Sequence, residues 1–192
     1  MTARWWAGVP ADDVLPDAHL LAAVDAALAG SGTAAELVCT SVDRSATAPR
    51  AGVAVRLTAA PADPDRTRTA LATALGGPVV VDGEAGPDGA TPAVAALLAA
   101  QDGVDGRCVR FPGQDAVAGR LPVADLVART AIDAVVGVGT AVGPDAVVDT
   151  LGFLRPQFTD GRLTLVVEQA AGGVLQPFEV EFPHECCGGA GP

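Results

Sequence analysis

The chain has 192 residues, a net charge of -11 and a pI near 4.4, which is the size of one domain with an acidic surface. Such a surface repels nucleic-acid phosphates and anionic lipid headgroups, and favours cations, metals or basic proteins as partners. All twelve cationic residues are Arg, and Lys, Asn and Tyr are absent, which excludes lysine Schiff bases and a P-loop lysine.

Apolar residues make up 49% of the chain but aromatic ones only 4%, so the core must come from small side chains in closely approaching elements. No apolar run reaches the ~20 residues that span a bilayer, and the N-terminus lacks the apolar segment of a leader peptide. A cytoplasmic location with reduced thiols is therefore expected.

Residues 1–14 read as an irregular N-terminal arm, because the adjacent Trp5 and Trp6 cannot both enter one core from a regular strand. A first helix is expected after Pro16 and Asp17, with Leu20, Leu21, Val24 and Leu28 at helical spacing and Gly30 beyond its end. Residues 36–42 and 51–58 alternate as strands. Asp63-Pro64 opens a second helix that Gly76-Gly77 closes. A short buried strand over 78–81 follows, then a third helix from Thr91-Pro92 to Gly103 and a strand over 107–111. Leu121-Pro122 opens a fourth helix, and 132–138 suits either its extension or a strand.

The last part changes character. Residues 152–158, 162–168 and 175–182 read as strands, with a hairpin signal at Asp160-Gly161 and a turn at Gly172-Gly173. The fold expected is α/β (or α+β): a mixed sheet flanked by about four helices, ending in a three-stranded antiparallel meander. One domain over 15–183 holds it, with the meander over about 152–183 and a Cys/Gly-rich tail over 184–192.

The densest chemistry lies in that tail, where His184, Cys186 and Cys187 fall within four residues. Imidazole and thiolate suit zinc, copper(I) or an iron–sulfur centre, and a transition metal at the C-terminal cysteines is the one cofactor expected. Adjacent cysteines are awkward chelators of one ion. Cys39 and Cys108 complete a ligand set only if the fold brings them to the tail; each otherwise reads as a small core residue. A reactive thiol pair and an uninvolved tail are the alternatives. Cys186-Cys187-Gly188 resembles the Cys-Cys-Gly element of iron–sulfur domains of heterodisulfide-reductase type, without that family's spaced partner cysteines.

Other candidates are weaker. The run 137–143 (Gly-Val-Gly-Thr-Ala-Val-Gly) looks like a dinucleotide-binding loop but meets Pro144 where a helix is required. Ser31 suits a turn, and His19 an exposed helix face. Glu179 and Glu181 read as the solvated face of the last strand. With no convincing triad or phosphate loop, the functional expectation is a non-catalytic accessory or oligomer-forming domain. Its partner would be a copy of itself or another protein, met through the tryptophan arm and the meander edge. The alternative is a metal-dependent or thiol-redox enzyme built on His184, Cys186 and Cys187.

Overall fold

The computed structural model describes residues 4–12, 15–45 and 47–181. Four helices, α1 (Asp17–Leu28), α2 (Pro64–Leu75), α3 (Thr91–Asp102) and α4 (Val123–Arg129), accompany an eleven-stranded mixed sheet. The strands are β1 (Trp5–Gly8), β2 (Ala35–Asp43), β3 (Arg50–Leu57), β4 (Val79–Val81), β5 (Arg107–Arg110), β6 (Arg120–Pro122), β7 (Ala134–Gly137), β8 (Val147–Asp149), β9 (Gln157–Thr159), β10 (Arg162–Gln169) and β11 (Leu175–Pro177).

The first half runs β1-α1-β2-β3-α2-β4 with sheet order β4-β1-β3-β2, all neighbours antiparallel. That is the connectivity of the ferredoxin-like β-α-β-β-α-β motif. Local signals set its helices. Asp63 caps α2 by accepting from the Arg66 amide at 3.0 Å, Pro64 occupies its first turn, and Gly76 ends it in the left-handed conformation. Leu20, Val24 and Leu28, four residues apart, form the buried stripe of α1.

Strand alternation divides the core into layers. Trp6, Val53, Val55 and Leu57 face α1 and α2, where they meet Leu20, Val24 and Leu71. Ala7 and Ala54 point to the other face, under Ala93, Ala96 and Ala100 of α3. The expected small-residue core is realised here: a Cβ at Gly52 would collide with the Pro92 carbonyl oxygen, so only glycine lets α3 lie this close.

The tryptophans do not form an arm. Residues 5–8 are β1, an inner strand between β3 and β4, with Trp6 buried on one face and the Arg56 guanidinium 5.5 Å over the Trp5 ring on the other. Both faces of this strand are covered, so the sequence shows no apolar–polar alternation there.

β5 joins the halves. It pairs with β2 on one side and touches β9 on the other, through Arg107 and Gln157. β10 runs antiparallel to β9 and β11, as the meander requires, and β7 adds to it in parallel. The Asp160-Gly161 turn has positive φ at both residues, 50° and 77°, as a tight hairpin demands. The region over 132–138 resolves as strand β7, not as an extension of α4; of the strand expected over 152–158 only the end is strand, as β9, and β8 precedes it. Leu37, Cys39, Cys108, Leu126, Leu163 and Leu165 contribute to the core between the halves.

Candidate functional site

The seam where β5 meets β2 and α1 gathers charge and sulfur. Cys39 and Cys108 are direct cross-strand partners with Cα atoms 4.1 Å apart, both fully buried and joined in a disulfide. The expectation of reduced thiols fails at this pair.

One extra residue bulges β5, because Cys108 pairs with Cys39 while Arg110 pairs with the next residue, Val38. The bulge breaks the alternation, so that Arg107 and Arg110 both reach α1. Arg107 binds Asp17 with two hydrogen bonds of 2.9 Å, and Arg110 binds Asp25 at 2.5 and 2.8 Å. The acids lie two helical turns apart, about 12 Å, and the arginines about 10 Å apart along the strand, so the two spacings match.

The other face of Arg107 is taken by Glu179, which accepts from its Nε at 2.7 and 2.8 Å and also pairs with its Nη2. Arg155, whose side chain is only 8% exposed, donates from Nε to Asp17 at 2.5 Å and stacks 3.8 Å above the Phe153 ring. Burial works to raise the Asp17 pKa, but the hydrogen bonds and charges of Arg107 and Arg155 outweigh it and hold the carboxyl below its ordinary 3.8. Glu179 and Asp17, against the cost of burial, push the Arg107 pKa above the ordinary arginine value.

Two arginines and two carboxylates thus satisfy one another beside a cleft of about 220 Å³ lined by Gln157, Val166 and Phe178. Asp17 and Glu179, the carboxylates of this cluster, are both engaged by guanidinium groups, an arrangement that clamps the halves together. A second cleft, about 390 Å³, opens where the β2–β3 hairpin approaches the start of α3, with Asp43, Ser45, Arg50 and Thr91 on its rim. The Asp43 carboxylate there accepts from the Ser45 amide at 2.9 Å.

No family model, no curated protein and no solved structure matches this chain. What it does must therefore be read from its own geometry.

The expected transition-metal centre is corrected by the disulfide. Cys39 and Cys108, which would complete it only if the fold brought them to the tail, are buried and bonded to each other, and among the described residues no group of three or more His, Cys, Asp or Glu is placed to hold an ion. His184, Cys186 and Cys187 lie outside the described residues.

His19 is exposed on α1, and Ser31 sits in the turn after it with Oγ donating to the Leu28 carbonyl at 2.6 Å. Residues 137–143 lead from β7 into a loop and then β8, with no helix to receive a pyrophosphate. Glu181 is exposed, but Glu179 leaves the expected solvent face because β11 ends at Pro177 and the chain then turns toward Arg107.

The sequence reading did not single out the outer edge of β7. β7 pairs with β10 on one side, and among the described residues no strand pairs with its other side. Val136 and Val138 stand there 51% exposed each. Residues 134–143 contain no charged residue, as do the longer runs 69–81 and 89–101, so the sequence alone did not mark this edge. Among the described residues no helix is long and apolar enough to cross a membrane.

Proposed function

We propose that this chain is a non-catalytic accessory domain that works by self-association. The observation that carries the reading is the uncharged edge strand β7, with Val136 and Val138 half exposed. Natural sheets protect edges by keeping the strand short or with lysine, proline, bulges or inward-pointing charge; β7 is four residues long and carries no charge or proline. An open strand edge is able to take an added strand through main-chain hydrogen bonds.

The engaged state of the seam acids supports the same reading. Asp17 and Glu179 hold arginines instead of an open coordination position, so this charge cluster serves the joint between the halves. The test is light scattering of the purified chain over a concentration series reaching about 1 mM, where even a contact worth about 4 kcal/mol is half formed. The mean mass should rise from 19.0 kDa toward twice that value. A mass constant at 19.0 kDa throughout removes the proposal.

A further inference from the structure

We infer that, apart from any self-association, the cleft beside the Arg155 guanidinium is a binding site for a small monocarboxylate with a compact apolar body. Three features of the cleft carry it.

The first is an unused donor. Only 8% of the Arg155 side chain is exposed, and its Nε donates to Asp17 at 2.5 Å and its Nη1 to the Leu154 carbonyl at 2.8 Å. Its Nη2 meets no acceptor among the described residues, yet it is not enclosed, and Arg155 forms part of the cleft wall. Arg107, by contrast, uses Nε, Nη1 and Nη2 on Asp17 and Glu179. The donors of a largely buried guanidinium are ordinarily partnered, and a carboxylate is the acceptor that its planar fork holds most strongly. Gln157 lines the same cleft, and its side-chain amide is without a partner among the described residues, so an N–H is available for the second carboxylate oxygen.

The second is the opposite wall. Val166, Pro177 and Phe178 are apolar, and the Phe178 ring stands 57% exposed beside the cleft. Apolar surface that supplies affinity, with a few polar groups that set orientation, is the composition of a small-ligand site. The cleft, about 220 Å³, has the space of roughly seven water molecules, which suits an acid the size of benzoate or isovalerate and excludes a nucleotide.

The third is charge, and it selects a monoanion. A chain at -11 disfavours anions over most of its surface, but here two arginines balance two acids. Glu179, the one acid among the described residues lining the cleft, is held by Nε and Nη2 of Arg107. One negative charge can therefore approach Arg155, whereas a phosphate dianion would meet twice the repulsion from Glu179.

The experiment is a heteronuclear NMR titration of the full chain with benzoate, with isovalerate, and with benzamide as the uncharged counterpart of benzoate. Both carboxylates should give saturable millimolar binding, with shifts at the Gln157 side-chain amide and at the Val166 and Phe178 backbone amides. Benzamide should bind at least about tenfold more weakly. Arg155→Lys keeps a positive charge near Asp17 but lacks the planar fork, and should weaken benzoate binding at least about tenfold. Phe178→Ala should weaken it several-fold, while Leu98→Ala, at an exposed leucine of α3, follows the wild type. Should Arg155→Lys unfold, Phe178→Ala decides alone, because a ring 57% exposed is not part of the core. Absence of saturable shifts at these residues with both carboxylates overturns the site, as does equal affinity for benzoate and benzamide. Binding that Phe178→Ala leaves unchanged places the ligand elsewhere and overturns it too.

Discussion

Reduction of the Cys39–Cys108 disulfide should cost this fold a large part of its stability. The bond ties residues 69 apart in sequence, which restricts the unfolded chain by about 4 kcal/mol in the chain-entropy account. For a domain of this length that corresponds to a fall of about 10 °C in Tm. Guanidinium unfolding of the oxidised and reduced forms measures it directly. A Cys186→Ser/Cys187→Ser background ensures that only this pair responds. Two signatures are expected together. The midpoint falls, and the slope m rises, because the unfolded chain loses its cross-link and exposes more surface. A stability difference below about 1 kcal/mol with an unchanged slope would falsify the claim that this bond fastens β2 to β5.

Three further outcomes follow from the seam and the sheet. Arg107→Met leaves Glu179 without its guanidinium and Asp17 with Arg155 alone; because these side chains are partly buried, chemical denaturation should show a loss of about 2–3 kcal/mol, between the exposed and the fully buried cases. Asp17 is more acidic in the folded chain than its ordinary 3.8, so its contribution is complete above about pH 4 and lost as pH falls through the lower native value. The stability gap between wild type and Asp17→Asn should accordingly narrow below about pH 4, and a gap independent of pH contradicts the clamp. Gly52→Ala drives a methyl into the Pro92 carbonyl of α3 and should destabilise by about 1–3 kcal/mol in thermal melts, whereas Gly143→Ala, with open space around it and no left-handed backbone, should cost far less.

Where a structural decision is local, this sequence displays it. Asp63-Pro64, Gly76 and Gly103 mark helix ends that the structure reproduces, and Asp160-Gly161 makes its hairpin, because caps and tight turns depend on a few adjacent residues. β1 escaped notice because an inner strand with both faces buried has no polar side to alternate with, and two adjacent tryptophans look more like an arm. The seam was hidden for a different reason. Cys39 and Cys108 become neighbours only after β2 and β5 pair across intervening elements, and Arg110 reaches Asp25 only through a one-residue bulge. Neither fact has a local signature. The tail His184-Glu185-Cys186-Cys187 drew the chemical reading through ligand density, yet density near a chain end says nothing about convergence. The run 137–143 resembled a dinucleotide-binding loop but met Pro144 where a helix is required, and that the strand before it lies at a sheet edge follows only from the strand pairing.

Amide hydrogen exchange at 134–138, followed as protein concentration rises, tests the self-association account most directly. Pairing of β7 with a second copy protects amides on its outer edge, so exchange there should slow with concentration while the exposed turn at Asp160-Gly161 keeps a constant rate. Exchange at 134–138 that is independent of concentration, alongside a mass that grows, would place the contact elsewhere; independence of both would leave the domain without the association proposed for it.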